Sequence, residues 1–152
     1  MKVLGIRNAP QKLRYAVMNW DGQRATLVNS SLENMLVLPA SITSLKDQIF
    51  WLYQELERVL RHHSIIDKIA IKPNEYRPGR ESAASRSAAY FDAIVFLIAG
   101  KYNIPIESKL YRQIGTNRGE VREFAELNVG RTDTYWDDQM ADAIAIAWAV
   151  KE

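Results

Sequence analysis

The chain has 152 residues, of which 47% are hydrophobic and 25% are charged, and its formal net charge is +2. This composition is sufficient to bury a core within one domain spanning residues 1–152, and so small a net charge does not by itself require a nucleic-acid partner. Cysteine is absent, which excludes disulfides and thiolate metal sites. No apolar run reaches the length of a membrane span, and a strand-like pattern starts at once without a signal peptide, so we expect a cytoplasmic protein with no membrane partner.

The first half of the chain predicts three strands followed by a helix. Short strands are expected over Met1–Ile6 and Leu13–Trp20. The Asp21-Gly22 pair is a strong hairpin signal, and the chain returns as a third strand over Arg24–Asn29. Apolar residues then recur at helical spacing over Ser44–His62, which predicts an amphipathic helix.

The second half alternates strands and helices. A β-branched strand is expected over Ile66–Ile71, a long helix over Glu81–Gly100 and a fifth strand over Pro105–Leu110. A short charged helix over Asn117–Leu127 precedes the last helix. A hairpin meander followed by alternating strands and helices predicts an α/β fold, with a mixed five-stranded sheet flanked by helices.

The last helix carries the strongest chemical signal. Between Met140 and Val150 the only polar residue is Asp142, and a helix that is apolar on all sides is buried. A buried carboxylate must be paired, bound to a metal or neutralised. Asp138 lies four residues earlier, so both carboxylates project from one face, as helical metal ligands do.

Three segments resemble the RuvC-like Holliday-junction resolvases, which have a ribonuclease H-like fold. Lys2–Ile6 resembles the first strand of that family, and Asp67–Ile71 with the long helix after it resembles the fourth strand and its helix. Residues 138–147 resemble the acidic terminal helix and form the specific part of the match. The order of elements agrees over nearly the full chain.

The resemblance implies four carboxylates that hold two divalent metals, and here two of them are replaced. Arg7 stands at the position after the Gly-Ile step of the first strand, and Lys72 stands at the end of the fourth strand. Asp138 and Asp142 occupy the helix positions, although Gln139 aligns with the first of them in some members. Two bases and two acids sum to zero charge, so we expect an internal Arg/Lys–Asp cluster and no bound metal.

These substitutions predict a catalytically inactive relative that binds DNA or RNA, without a cofactor. A basic stretch flanks the predicted site and suits phosphate contacts. Its members are Lys72, Arg77, Arg80 and Arg86. For a second basic stretch we favour a solvated face, because glutamates are interleaved with it. That stretch consists of Lys109, Arg112, Arg118 and Arg122.

Two alternatives stay open. The first is an active Mg²⁺- or Mn²⁺-dependent nuclease that uses Asp138, Asp142 and an unconventional third acid such as Glu75. The second is a protein-interaction module on the same scaffold. The apolar second half of the long helix, with Phe91, Phe96 and Leu97, could pack in the core or across a homodimer interface.

Overall fold

The computed structural model describes residues 1–75 and 78–152. The strands, in chain order, are β1 (Lys2–Ala9), β2 (Lys12–Trp20), β3 (Ala25–Leu27), β4 (Met35–Val37), β5 (Lys68–Ile71) and β6 (Ile106–Ser108). The helices are α1 (Leu45–His63), α2 (Ala83–Tyr102), α3 (Tyr111–Ile114), α4 (Val121–Asn128) and α5 (Asp138–Ala149).

The strands form one mixed sheet in the order β3-β2-β1-β5-β6, in which β1 is central. β1 pairs antiparallel with β2 and parallel with β5, which pairs parallel with β6. The predicted mixed α/β fold is confirmed, but the prediction of five strands was wrong by one. β4 is a three-residue strand that pairs with β2 alone, and so short a segment shows no alternation by which to recognise it.

The two faces of the sheet carry separate apolar layers. On one face α1 and α2 cover β1 and β5 through buried residues that include Leu56, Phe91 and Val95. On the other face α5 and α4 cover the sheet, and the buried side chains of α5 are mostly Ala and Ile. Small side chains allow α5 to lie close to the sheet, which brings its polar residues near the strand ends.

Gly5 sets the distance between β1 and α5. A Cβ atom at this position would lie 2.0 Å from the backbone oxygen of Ala143 and 2.8 Å from the Cβ of Ala147. The helix can therefore pack against β1 only because residue 5 has no side chain. Side chains of a strand alternate between faces. Arg7 therefore points to the same face as Gly5, towards the part of α5 that carries Asp142.

The helix starts are fixed by side-chain caps. Ser44 accepts a hydrogen bond from the backbone N–H of Asp47, and Ser82 forms a reciprocal capping box with Ser85. Asp137 caps α5 by accepting from the backbone N–H of Met140 over 2.8 Å. These caps satisfy backbone donors that have no partner within the helix.

Helix α2 has enough length and apolar character to cross a membrane. It also supplies part of the core, since Phe91, Val95 and Ile98 are buried against the sheet. The sequence predicts that no uninterrupted apolar run is long enough to span a membrane. This agrees with α2, because its apolar residues are interrupted by the charged residues Arg86, Asp92 and Lys101.

Candidate functional site

The polar residues singled out from the sequence meet at one end of the central strands. β1 and β5 are parallel, so their carboxyl ends lie side by side, and the backbone N–H of Lys72 donates to the carbonyl of Ile6 over 3.0 Å. Arg7 and Lys72 therefore stand next to each other at this edge. α5 crosses the same edge and presents Asp142 to Arg7.

Asp142 is buried, and each of its two oxygens accepts a hydrogen bond. It is 1% exposed. Arg7 Nε donates to its Oδ2 over 2.9 Å, and the Tyr111 hydroxyl donates to its Oδ1 over 2.7 Å. Burial raises the pKa of Asp142, while the Tyr111 hydrogen bond and the charges of Arg7 and Lys72 act to lower it.

Arg7 is held from both sides. One terminal nitrogen donates to Asn74 Oδ1 over 2.7 Å, in addition to the Nε bond to Asp142. Asn74 Nδ2 in turn reaches the carbonyl of Asn8 over 3.4 Å. On the opposite face of β1, the Asn8 side chain donates to Asp92 Oδ1 over 2.6 Å. A short polar network thus runs across the end of β1 from α5 to α2.

Lys72 has a different partner from the one predicted. Its side chain is 1% exposed, and Nζ donates to Glu75 Oε2 and to the Pro73 carbonyl, each over 2.9 Å. The ammonium also lies 4.1 Å from the centre of the Tyr111 ring, a cation–π contact. Burial lowers the pKa of Lys72, and the hydrogen bond to Glu75 acts to raise it.

Asp138 also differs from expectation. Its Oδ1 accepts a hydrogen bond from Arg122 Nε over 2.7 Å, and its Oδ2 lies 3.9 Å from Arg118 Nε. The predicted four-residue cluster is therefore divided into an Arg7–Asp142 pair, a Lys72–Glu75 pair and an outer Arg122–Asp138 pair. Asp138 is one-third exposed, so an arginine from α4 can reach it from solvent.

The start of α5 is fixed by a further ion pair. Arg14 of β2 is 4% exposed and lies 2.5 Å from Asp137 Oδ2. Burial acts to raise the pKa of Asp137, but the hydrogen bonds from Arg14 and from the N–H of Met140 hold it below its usual value. Asp137 thus anchors to the sheet the helix that carries Asp138 and Asp142.

The side chains surround a cleft of about 310 Å³. We call it the site cleft. Arg7, Lys72 and Glu75 line one part of it, and Tyr111, Asp138 and Asp142 line another. Gln139 and Arg118 complete the lining.

The site cleft does not fit the pair of divalent cations that the resemblance implies. Both oxygens of Asp142 already accept hydrogen bonds, and an arginine occupies the strand-one position. In residues 1–75 and 78–152 no group of three or more His, Asp or Glu side chains is arranged to hold a metal ion. Two-metal sites are held by shared carboxylates, and Arg7 and Lys72 stand here at the two strand ends where the resemblance implies acids.

Of the predicted basic stretch, Lys72 lines the site cleft. Arg80 is exposed, and Arg86 is exposed and lies 3.5 Å from Glu81. Arg77 lies outside the described residues. In the second basic stretch, Arg118 and Arg122 each form an ion pair with Asp138 of the site cleft. Lys109 Nζ instead donates to the Ala149 carbonyl over 2.7 Å.

Sequence reasoning did not identify Tyr111 and Asn74 as site residues. Tyr111 opens the four-residue helix α3, and it contacts a residue 31 positions away. Asn74 follows Lys72 and Pro73 in the loop after β5, where Pro-Asn is an ordinary turn signal. Neither residue carried a local pattern that indicated contact with Arg7 or Asp142.

The order of elements and the sheet topology define an α/β fold of the ribonuclease H type. RuvC from Thermus thermophilus in complex with a Holliday junction substrate superposes with a TM-score of 0.79, over 98% of this chain and 92% of that chain, at 18% identity. The yeast mitochondrial Holliday junction resolvase gives a TM-score of 0.63 over 97% of this chain and 76% of that chain, at 16% identity.

Sequence similarity points the same way. The crossover junction endodeoxyribonuclease RuvC of a Sulfurovum species is 32% identical over 72 residues, which are 47% of this chain and 42% of that protein. The match thus spans less than half of the curated relative. No protein-family model matches the chain. The predicted likeness to the RuvC-like resolvases is confirmed in the fold and along this stretch of sequence.

Proposed function

We propose that the chain is a RuvC-like nucleic-acid-binding protein in which metal-dependent strand cleavage is lost. One observation carries the proposal, namely the Arg7–Asp142 ion pair at the position where the resemblance places a metal ligand. A guanidinium there supplies in fixed form the positive charge that Asp142 would otherwise take from a cation. Nuclease chemistry of the two-metal type needs the ions themselves, because they activate the attacking water and stabilise the leaving oxygen.

The charges around the site cleft support nucleic acid as the partner. Arg118 lines it, Arg122 is bonded to Asp138 in its lining, and Arg80 is exposed in the loop after β5. Exposed arginines at a cleft make phosphate contacts that position a nucleic acid without reading its sequence. Of the similar structures described above, one is RuvC in complex with a Holliday junction substrate and another is a Holliday junction resolvase. This similarity supports branched DNA as the first nucleic acid to test.

The proposal is tested by fluorescence anisotropy with a four-way junction and with linear duplex of the same composition. We expect binding that weakens steeply with salt, because counterions are released from neutralised phosphates. Exchange of Arg80 for Gln should weaken binding and reduce the salt slope by about one. Arg24→Gln is the matched control, because Arg24 is exposed in the β2–β3 turn at the opposite end of β1.

The same samples test the loss of cleavage. Incubation of the junction with Mg²⁺ or Mn²⁺ should leave all strands intact. Cleavage that disappears in Asp142→Asn would instead establish the nuclease alternative. Absence of any anisotropy change at low salt would remove the nucleic-acid part of the proposal, since phosphate binding is strongest there.

A homodimer is a second proposal, supported by the outer face of α2. Phe91 is buried in the core, whereas Tyr90, Phe96 and Leu97 are 42%, 46% and 56% exposed. An unpaired apolar face of this kind on a soluble domain indicates a protein contact. Sedimentation should give a dimer that Leu97→Glu converts to a monomer, while Leu127→Glu, at another exposed leucine (79%), leaves it unchanged. A monomeric wild type would remove the proposal.

A further inference from the structure

A buried amide lies near the end of β1, on the face of the sheet opposite to the site cleft. Asn8 is 0% exposed, and its Nδ2 donates to Asp92 Oδ1 of α2 over 2.6 Å. The Asn8 Oδ1 is buried as well, and within residues 1–75 and 78–152 it has no hydrogen-bond partner. Buried polar atoms in folded proteins are nearly always hydrogen-bonded. This oxygen therefore requires a donor.

Turning the Asn8 amide over does not supply that donor. Exchange of its oxygen and nitrogen would place Oδ1 against Asp92 Oδ1, and the Nδ2 donor would then lose its acceptor. Two acceptor oxygens in contact repel each other unless a proton lies between them. The missing donor must come from another group beside Asn8.

The group beside Asn8 is the Asp92 carboxyl. Asp92 is half-buried on α2, next to the buried Phe91. In the described part of the chain its carboxyl takes part in no ion pair, and Asn8 is its hydrogen-bond partner. Burial raises the pKa of Asp92, although the Asn8 hydrogen bond and the charges of Arg7 and Lys72 act to lower it. A protonated carboxyl has one O–H donor, which is the group that Asn8 Oδ1 lacks.

We propose that Asp92 is a neutral carboxylic acid in the folded protein and that its hydroxyl donates to Asn8 Oδ1. The carboxyl and the amide then form a ring of two hydrogen bonds, in which each group donates once and accepts once. Loss of the proton breaks one of these bonds and leaves a negative charge beside an unpaired oxygen. The Asn8–Asp92 pair is thus a pH-sensitive link between α2 and the strand that carries Arg7. This inference goes beyond the proposed function and does not depend on it.

The direction of the pH dependence follows from the raised pKa of Asp92. The folded chain holds this proton more tightly than the unfolded chain does. The contribution to stability is therefore complete below the ordinary value of 3.8, and it is lost as the pH rises through the pKa of the folded state. The charged groups that act on Asp92 are Arg7 at the end of β1 and Lys72 after β5, and both favour the ionised form.

The first test is ¹³C NMR of the whole chain with labelled aspartate, in which the Asp92 Cγ signal is assigned through bonds and followed as the pH is raised. We expect this signal to titrate with a midpoint above 3.8, the ordinary value for aspartate. A midpoint at or below 3.8 would show that Asp92 is ionised like an exposed aspartate. The donor to Asn8 Oδ1 would then be a buried water, and the inference would be overturned.

The second test is urea denaturation of Asp92→Asn beside the wild type. An amide at residue 92 can donate and accept as the acid does, but it cannot ionise. The urea midpoint of the wild type relative to this variant should therefore fall as the pH rises. Glu126→Gln removes one carboxyl charge at an exposed position, 44% exposed in its side chain, and should show no such fall.

A wild-type midpoint that stays constant or rises relative to Asp92→Asn would also overturn the inference. If Asp92→Asn does not fold, the Cγ titration of the wild type decides alone. Neither measurement involves nucleic acid. Failure of the chain to bind a four-way junction would remove the nucleic-acid part of the proposed function and leave the Asn8–Asp92 link standing.

Discussion

Arg7 and Asp142 lie 135 residues apart in the chain, and the Arg7 Nε donates to Asp142 Oδ2 over 2.9 Å. The pair joins the central strand to the last helix. Its carboxylate is 1% exposed, so the guanidinium is the fixed counter-charge of an anion that water cannot reach. Asp142 can be buried because Arg7, with Tyr111, satisfies both of its oxygens.

The Arg7–Asp142 ion pair predicts a large loss of stability when only one of its two partners is removed. Arg7→Met leaves Asp142 buried without a positive charge and should lower the free energy of unfolding by about 3–5 kcal/mol. Removal of both charges by Arg7→Met with Asp142→Leu should recover most of that loss, since an apolar pair costs little in the same space. Urea denaturation of the wild type and the variants measures the difference.

The control for this experiment is the outer pair. Arg122 and Asp138 are 56% and 33% exposed in their side chains, so Arg122→Met should cost about 1 kcal/mol or less. If Arg7→Met lowers the free energy of unfolding no more than Arg122→Met does, Arg7 is not the counter-charge that allows Asp142 to be buried.

The close contact of α5 with β1 predicts the effect of a single methyl group. Gly5→Ala would place a Cβ atom 2.0 Å from the backbone oxygen of Ala143, and backbone cannot turn aside as a side chain can. We expect a loss of about 1–3 kcal/mol or more in the free energy of unfolding.

A second glycine supplies the comparison. Gly100 lies within α2, and no atom lies within 4 Å of the added Cβ there. Gly100→Ala should therefore raise stability slightly, by about 0.5–1 kcal/mol. Thermal unfolding of the two variants in parallel decides the point, and equal effects would contradict the close approach at Gly5.

Lys72 predicts a pH dependence. Burial lowers the pKa of Lys72 in the folded protein, against an ordinary value of 10.5. The unfolded chain therefore holds this proton more tightly, and the contribution of Lys72 to stability rises with pH from the folded pKa up to 10.5. The charged groups around it are Glu75, Arg7 and Asp142, and Tyr111 packs against its ammonium.

The measurement compares the wild type with Lys72→Met in urea at about pH 7 and about pH 10. Wild-type stability minus variant stability should increase with pH. Tyr111 titrates with a raised pKa in both proteins, so the subtraction largely removes its contribution. A difference that stays constant or falls as the pH rises would show that burial does not penalise the Lys72 charge.

Restoring acids should restore ion binding. Arg7→Asp combined with Lys72→Glu changes the charge of the site cleft by four units and returns carboxylates to both strand ends. We expect this double variant to bind Mn²⁺ in a saturable way, and the binding should disappear when Asp142→Asn is added. Carboxylate oxygens are the ligands that such cations require.

A surface double variant with the same charge change is the control. Arg24 is exposed and Lys46 is 88% exposed in its side chain. Arg24→Asp with Lys46→Glu should therefore bind Mn²⁺ no better than the wild type. Equal binding by both double variants would mean that net charge, rather than the position of the carboxylates, governs the ion.

Much of the fold could be predicted from patterns local in the sequence. The β2–β3 hairpin at Asp21-Gly22, the amphipathic α1 and the apolar α5 each follow from spacing or turn residues within a few positions. β4 and α3 could not be predicted in this way, because segments of three and four residues are too short to show a period. They form because long-range pairing with β2 and packing near α5 hold them.

The site was predictable only in part for a related reason. The burial of Asp142 follows from its apolar neighbours, and the resemblance pointed to Arg7 and Lys72. The pairing among these charges depends on which side chains arrive from distant segments. Tyr111 reaches Asp142 from α3, and Arg122 reaches Asp138 from α4. No spacing rule links those residues, so the predicted four-residue cluster is divided among more partners than the sequence indicated.

The most direct test of the central claim is a titration of the wild-type chain with Mn²⁺, followed by the paramagnetic resonance signal of the free ion. If Arg7 and Lys72 occupy the place of the metals, the signal should grow as it does in buffer alone, and Asp142→Asn should change nothing. Tight, stoichiometric loss of the signal in the wild type, abolished by Asp142→Asn, would contradict the account.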